Sequence, residues 1–225
     1  MKLSRVMVVA TLALFGGVAS ADDGRGFYVG LGAGVALADV DQDELDAMVF
    51  GPLESEGLEI VDASSKLSDS DASLGLLVGY RFLPWLAVEA EWLTLGTTGY
   101  EAHADVWTGD FIVPLKTTLE TDSKGIAVSA LGLWPVSQRW DLYGRIGVLM
   151  ADTTVTARVS SDVMSIPFSD SKSSQEVLAG IGAAWKASPT WTVRLDYQHF
   201  QDVGDEEVTG EASIDRLSLQ WLYTF

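Results

Sequence analysis

The sequence predicts an all-β fold, a closed eight-stranded antiparallel up-and-down transmembrane β-barrel. Three observations support this prediction. The chain begins with an export signal, eight later segments alternate in the manner of membrane strands, and the connections between them alternate between short and long. Although 48% of the residues are hydrophobic, no stretch after the signal approaches the ~20 uninterrupted apolar residues of a transmembrane helix.

The first 21 residues have the three parts of a secretory signal peptide. Lys2 and Arg5 are followed by an apolar run, residues 6–18, and then by Ala19-Ser20-Ala21. That run is too short for a membrane span with these flanks, so cleavage near Ala21 is favoured over an uncleaved anchor. We therefore expect a signal peptide at residues 1–21 and one barrel domain at residues 22–225.

Composition excludes several functional classes. The formal net charge of −18 argues against a nucleic-acid partner, because such proteins need a basic surface to pair with phosphates. The chain has no cysteine, which excludes a disulfide scaffold and a cysteine-anchored lipoprotein. Cysteine is also a usual ligand of structural zinc, and no cofactor is expected.

Each of the eight segments has the ~9–11 residues that a tilted membrane strand requires. They are Gly26–Leu37, Ser73–Phe82, Trp85–Leu95, Lys124–Trp134, Trp140–Ala151, Gln175–Lys186, Thr190–Phe200 and Ser213–Phe225. In the last segment, Leu217, Leu219 and Trp221 alternate with Ser218 and Gln220. Successive side chains of a strand point to opposite faces, so this period of two favours strand over helix.

The connections indicate which end of the barrel faces which side of the membrane. Three are short and contain proline, at residues 83–84, 135–139 and 187–189, whereas four are long, at residues 38–72, 96–123, 152–174 and 201–212. Outer-membrane barrels have short periplasmic turns and long extracellular loops. An even strand number then puts both termini on the periplasmic side.

Aromatic residues gather at the turn end of the predicted strands: Phe27, Tyr80, Phe82, Trp85, Trp134, Trp140, Trp185, Trp191, Tyr223 and Phe225. Such a ring is typical of the girdle at a membrane interface. The alternative is a soluble barrel of the lipocalin type, which would have to place these rings in its lumen. Small residues alternate with the bulky apolar face, and this favours a narrow filled interior over a ligand cup.

Several segments resemble outer membrane protein A–like barrels. Residues 27–34 (FYVGLGAG) resemble the first strand of that family, residues 88–92 (VEAEW) the third, and residues 194–198 (RLDYQ) with 202–204 (DVG) the seventh strand and fourth loop. The resemblance covers nearly all of residues 22–225. It implies a non-enzymatic envelope protein of a Gram-negative outer membrane, with a narrow gated pore as a further expectation.

The last nine residues, LSLQWLYTF, resemble the terminal strand of outer-membrane proteins in general. The resemblance implies that Trp221, Tyr223 and Phe225 form the signal read by the barrel-assembly machinery. Full-length family members carry a periplasmic domain that binds peptidoglycan. Because this sequence stops at Phe225, we expect a barrel-only member without cell-wall tethering.

If the apolar face meets lipid, seven charged residues point into the lumen: Arg81, Glu89, Glu91, Arg145, Arg194, Asp196 and Arg216. These charges should pair, because a buried unpaired charge is expensive. The resemblance implies a salt-bridge gate that switches between closed and weakly conducting arrangements. The alternative, which the narrow lumen favours, is a static polar plug that specifies strand register.

The first long connection is strongly acidic, with Lys66 as its one basic residue. Its Asp39-Asp41-Asp43 spacing is similar to a calcium loop, but Glu44 stands at the glycine position and Phe50 at the last ligand position. We therefore expect a solvated acidic loop and no specific metal site. Loose association with divalent cations near lipopolysaccharide is compatible with this charge.

A lipid-modifying enzyme requires a nucleophile beside an oriented histidine. His103 lies in the second long connection and His199 near the outer end of the seventh segment, and no serine signature flanks His199. The sequence therefore favours a structural protein over two alternatives, a surface adhesin or receptor and a lipid-modifying enzyme. We expect a monomer in contact with outer-membrane lipids and lipopolysaccharide.

Overall fold

The computed structural model describes residues 25–55, 57–107, 110–161, 165–205 and 210–225. The predicted signal peptide lies outside these residues. The described chain contains one helix and nine strands: β1 (Gly26–Ala38), α1 (Gln42–Ser55), β2 (Glu59–Ser68), β3 (Ser70–Leu83), β4 (Leu86–Trp107), β5 (Ile112–Pro135), β6 (Trp140–Ser160), β7 (Ser165–Lys186), β8 (Trp191–Asp205) and β9 (Gly210–Thr224).

Eight of the strands form a closed antiparallel ring. The order β4-β3-β1-β9-β8-β7-β6-β5 is completed by pairing of β5 with β4. Each neighbouring pair in the ring follows the chain in an up-and-down pattern, and β1 closes on β9 through Tyr28↔Thr224 to Ala38↔Ile214. The predicted eight-stranded barrel is therefore confirmed.

Strand β2, which is not part of the ring, continues the line of β3 along β4. Both β2 and β3 pair with the same edge of β4, β3 along Leu86–Leu93 and β2 along Gly99–Trp107. Between them β4 has a bulge at Gly96, whose φ of 82° favours glycine. The sequence pattern misses β2 because its residues, EIVDASSKLS, lack the apolar alternation that marks the lipid-facing strands.

The prediction of long extracellular loops is wrong in large part, because strands occupy much of these connections. Strands β4 to β7 contain 21 to 24 residues each, about twice what a bilayer requires. Their outer halves continue the same ladders past the predicted strand ends, as far as Trp107↔Ile112 and Ser160↔Ser165. These halves are rich in Thr and Ser and have no lipid-facing apolar side, so their sequence resembles loops.

The acidic first connection contains a helix, which the sequence did not predict. Asp41 caps α1, because its Oδ1 atom accepts a hydrogen bond of 2.9 Å from the backbone nitrogen of Asp43. Thus one carboxylate of the superficially calcium-like spacing is used in starting the helix. In the described part of the chain, no helix is long and apolar enough to span a bilayer.

The outer half of the barrel wall is incomplete. Five strand segments, from β2, β4, β5, β6 and β7, extend beyond the ring as one curved sheet. On the remaining side the wall stops lower, because the β7–β8 ladder ends at Leu178↔Phe200 and the β1–β3 ladder at Leu37↔Ser70. In the part of the chain that the structure describes, the concave face of this outer sheet is therefore open to one side.

The two faces of each barrel strand have the chemistry predicted for a membrane barrel. Outward residues such as Leu31, Ile146 and Val177 are more than half exposed, and these side chains form a continuous apolar band. Inward residues are buried and include all members of two apolar clusters. The predicted aromatic residues lie on the outward face at the turn end, with edge contacts in the trios Phe27–Tyr80–Phe82 and Trp191–Tyr223–Phe225.

Two lumenal glycines provide room for tyrosine rings on the neighbouring strand. A Cβ atom added to Gly79 would lie 2.2 Å from the ring of Tyr28, and one added to Gly182 would lie 2.4 Å from the ring of Tyr143. Each pair is directly opposed in the ladder. Both tyrosines thereby lie across their glycines and carry their hydroxyl groups to the centre of the lumen.

We predict that Gly182→Ala destabilises the barrel by about 1–3 kcal/mol, since the added methyl group must displace the Tyr143 ring or strain the wall. The measurement is urea unfolding of the refolded protein in lipid vesicles, followed by tryptophan fluorescence. Gly132→Ala is the matched control, because its Cβ meets no atom within 4 Å. Equal unfolding midpoints for the two variants would contradict this account of the lumenal glycines.

Candidate functional site: the lumenal charge cluster

Six of the seven predicted lumenal charges meet at one level of the barrel. Glu89 and Glu91 come from β4, Arg145 from β6, and Arg194, Asp196 and Arg216 from β8 and β9, and every one of them is buried. Strand alternation places them there, since each lies an even number of residues from a buried apolar neighbour on its own strand. We call these six residues the lumenal charge cluster.

Glu89 is the centre of this cluster. Its Oε2 atom accepts a hydrogen bond of 2.8 Å from Arg145 Nη2, and its Oε1 atom accepts one of 2.6 Å from Arg194 Nη1. The Tyr28 hydroxyl donates a third, also 2.6 Å long, to Oε1. One carboxylate therefore receives two guanidinium groups and a phenol, and each of these bonds links it to another strand.

Glu91 lies on the side of the cluster nearer the loop end and binds three residues there. Arg216 Nη1 donates to its Oε1 atom at 2.7 Å, and Arg145 Nη1 lies 3.4 Å from its Oε2 atom. Gln198 donates an amide hydrogen bond of 3.2 Å to the same Oε2 atom. Arg145 consequently bridges Glu89 and Glu91 with its two terminal nitrogens.

Asp196 completes the charge balance. Its Oδ2 atom lies 3.3 Å from Arg145 Nη2 and accepts a hydrogen bond from the Tyr143 hydroxyl. The Arg194 guanidinium lies over the rings of Tyr28 and Tyr143, at 5.3 and 5.1 Å from the two centroids. Cation–π contacts of this kind gain strength where water is excluded. Three carboxylates thus neutralise three guanidiniums.

Arg81 does not join this cluster, contrary to the grouping expected from sequence. It lies at the turn end, where its Nη1 atom is 3.1 Å from Asp141 Oδ2. Lys186 Nζ lies 2.9 Å from the other oxygen of the same carboxylate. Asp141, which is 1% exposed, was not among the predicted lumenal charges, although it shares the strand parity of Arg145. Parity alone could have identified it.

The polar partners of the cluster were also missed. Tyr28, Tyr143 and Gln198 each bond to a cluster carboxylate, and Ser73 accepts a hydrogen bond of 2.8 Å from Arg216 Nε. Alternation placed Tyr28 and Gln198 on the inward face. Which carboxylate each would reach depends on the stagger between strands, which the sequence does not reveal.

Apolar layers enclose the cluster on both sides. Toward the loop end, Leu93, Leu149, Leu178 and Phe200 meet from four strands, and all four have 0% exposure. Toward the turn end, Leu77, Leu131 and Leu222 pack with the rings of Tyr28 and Tyr143. This arrangement can stabilise a closed lumen, because water or ions would have to cross two apolar layers as well as the ion pairs.

The two histidines lie outside the lumen. His199 faces outward, and its Nδ1 atom is 2.8 Å from Asp215 Oδ1, which also accepts a hydrogen bond of 2.7 Å from the Tyr197 hydroxyl. His103 lies on the outer sheet, 2.9 Å from Glu101 Oε1. Hydrogen bonds from Lys116, and then from His103, lower the pKa of the Glu101 carboxyl. A catalytic histidine needs an orienting carboxylate, and Asp215 has that position beside His199. The other described group that bonds to Asp215 is the phenol of Tyr197.

The three residues expected to form the assembly signal share the outward face of the last strand. Trp221 and Phe225 are exposed and Tyr223 is half-buried. Tyr223 contacts Trp191 and Phe225 through edge-on ring packing.

Comparison with known proteins identifies the family. Residues 22–225 match the model of the OmpA-like transmembrane domain. The chain belongs to this family. It is therefore a β-barrel protein of the cell outer membrane, and its turn end and loop end are the periplasmic and extracellular ends.

Individual relatives are distant from this OmpA-like chain. Outer membrane protein A of Yersinia pseudotuberculosis serotype I (strain IP32953) is 26% identical over 136 residues, which are 60% of this chain and 35% of that protein. The similarity thus spans about a third of that relative's length.

Several solved structures of outer-membrane proteins are similar to this chain at low identity. Neisserial surface protein A is 15% identical with a TM-score of 0.43, and the match covers 89% of this chain and 97% of that one. Ail, the attachment invasion locus protein of Yersinia pestis, is 12% identical with a TM-score of 0.42, covering 89% and 99%. The outer membrane protein AlkL is 16% identical with a TM-score of 0.44, covering 93% and 94%.

We predict that Glu89→Ala destabilises this OmpA-like barrel by about 3–5 kcal/mol, because it leaves two buried guanidiniums without their shared carboxylate. Urea unfolding in lipid vesicles measures the loss. The exposed residue Glu120 provides the matched control, and Glu120→Ala should change stability by less than about 0.5 kcal/mol.

A double variant tests whether the loss arises from charge. Adding Arg194→Met to Glu89→Ala removes one of the two buried guanidiniums that have lost the Glu89 carboxylate, and should recover part of the stability. If the double variant is instead less stable by the sum of the two single losses, the ion pairing described for Glu89 is not the cause.

Proposed function

We propose that this chain is a non-enzymatic structural protein of the outer membrane, whose lumen is sealed and whose wall supports a rigid extracellular sheet. One observation carries the proposal. The charge-balanced cluster lies between two apolar layers, and its residues come from strands on all sides of the barrel. A filled lumen of this kind is typical of eight-stranded barrels.

A gated pore is the alternative to a sealed lumen, and the same geometry shows which groups would have to move for ions to pass. Breaking the Glu89 pairs would release two guanidiniums, those of Arg145 and Arg194, yet an apolar layer that includes Leu93, Leu149 and Phe200 would still close the lumen above them. An apolar constriction excludes ions by remaining dry. Conduction would therefore require the apolar layer to move together with the ion pairs, which favours the structural role.

The outward surface supports the proposed partners. Its exposed apolar side chains form a band flanked at the periplasmic end by tryptophans such as Trp85, Trp134 and Trp191. We propose outer-membrane lipids and lipopolysaccharide as the surrounding molecules. Trp221, Tyr223 and Phe225 face outward at the end of the chain, where the barrel-assembly machinery could read them before closure. We further propose that the protein is a monomer, because its ring closes within one chain.

Surface binding is the second candidate function. The observation in its favour is the outer sheet, in which strands β4 to β7 extend far beyond the bilayer as paired ladders. A ladder holds these residues in place, unlike a free loop. The first connection has Lys66 as its one basic residue among many carboxylates, and this charge disfavours polyanionic partners.

Planar-bilayer recordings distinguish the sealed barrel from the gated pore. We expect both the wild-type protein and Glu89→Ala to show no discrete conductance steps, since the apolar layers remain in place. Heat-modifiable gel migration confirms that each sample has folded before it is recorded. Discrete steps in the wild type that change or vanish in Glu89→Ala would reject the sealed barrel and support a gate built on this carboxylate.

Shortening the first connection tests the surface role. Replacing residues 39–69 by a short turn removes α1 and β2, but leaves the eight-stranded ring intact. For a structural protein we expect unchanged resistance of cells to detergent. Loss of attachment to host-cell or matrix surfaces, with detergent resistance retained, would establish surface binding in its place. A control variant in which a short turn replaces residues 201–212 separates this effect from the general loss of an extracellular connection.

A further inference from the structure

Helix α1 lies on the concave side of the outer sheet, where it contacts β2 and β4. Its residues Val49, Phe50 and Leu53 face Leu115 and Thr117 of β5. The pairing of β5 with β6 has no register shift over its whole length, so these two residues share the inward face with Ala127 and Leu131. The helix is therefore inside the curve of the sheet.

Hydrogen bonds fix one side of α1 to the sheet. Asp46 accepts a bond of 2.9 Å from the Ser65 hydroxyl on β2 and a second bond from the Tyr100 hydroxyl on β4. Gln42 donates one of 2.8 Å to Ser65. Burial, assisted by Asp46, raises the pKa of Tyr100, so the phenol remains a donor. These bonds hold the helix at a defined height above the strands.

A pocket of about 140 Å³ lies between the helix and the sheet. Small side chains create it, since Ala102 and Ala104 stand where larger residues would fill the space. Both alanines are at most 5% exposed, whereas the apolar side chains of α1 above them are half-buried. The hydrogen-bonded helix thus covers the sheet without packing fully against it.

The chemistry of the lining selects the ligand. Apolar side chains and one threonine form the walls, and none of the described residues that line the pocket is charged. A polar or charged molecule would lose its hydration without gaining partners. An apolar cavity of about 150 Å³ is known to remain dry and to bind benzene or xenon. The volume and the lining of this pocket match that case.

We propose that the pocket beneath α1 binds an uncharged apolar molecule of about the size of one aromatic ring. The surroundings offer a route of entry. Val159 of β6 lines the pocket and is 47% exposed. Ile166 and Phe168 of the neighbouring strand β7 lie on the same concave face and are 57% and 60% exposed. This face opens to the side where β8 and β1 stop, so an apolar solute can reach the pocket without crossing the sealed lumen.

The test is methyl NMR of the full barrel in nanodiscs of deuterated lipid, titrated with benzene. We expect saturable shifts of the Leu53, Leu115 and Val159 methyl groups, with nuclear Overhauser contacts to benzene protons. Lipid-facing methyl groups, such as those of Leu142 and Leu195, should shift in proportion to added benzene, because they report partition into the bilayer.

Variants locate the site. Ala104→Leu fills the pocket and should abolish saturation, whereas Asp105→Leu adds the same bulk on the opposite face of β4 and should leave it unchanged. Thr117→Val keeps the volume and should retain binding. Proportional shifts at all methyl groups of the wild type would overturn the proposal, as would undiminished saturation in folded Ala104→Leu. If Ala104→Leu does not fold, the wild-type titration and its Overhauser contacts decide alone.

Discussion

In a bilayer, every main-chain N–H and C=O group must find a partner within the protein, and the rest of this structure depends on that constraint. The pairing of β5 with β4 and of β1 with β9 closes the ladder, so no edge meets lipid. Closure then divides the side chains into two populations. Apolar residues on one face contact lipid, and everything on the other face must fit into a lumen only wide enough for side chains.

That narrow lumen explains why charge, glycine and tyrosine occur together. Glu89 binds Arg145, Arg194 and Tyr28 at once, and the ring of Tyr28 reaches it only because Gly79 has no side chain in its path. The balance of charges offsets their desolvation, which would otherwise be severe. The apolar layers above and below reinforce the ion pairs by keeping water away. Stability and closure therefore have the same origin.

Outside the bilayer the constraint is relaxed, and the architecture changes accordingly. Water can satisfy free main-chain groups, so β7 is able to continue past the end of β8 and leave an unpaired edge. The wall becomes an open sheet, and its concave face needs a cover. Helix α1 supplies part of that cover through Asp46 and its apolar side chains. The incomplete cover leaves both the pocket and its lateral entrance.

Alternation along the sequence determined the eight-stranded ring, the outward aromatic residues and the inward face of the six cluster charges, because a period of two assigns each side chain to a face without knowledge of its neighbours. The short and long connections determined the direction of the ring in the membrane. It could not place Arg81 with Asp141, join Glu91 to Arg216, or distinguish the outer ladders from loops. Those features depend on the stagger between strands and on main-chain pairing far along the chain, which side-chain polarity does not encode. The pocket beneath α1 likewise exists only once the helix and strands β4, β5 and β6 have come together in space.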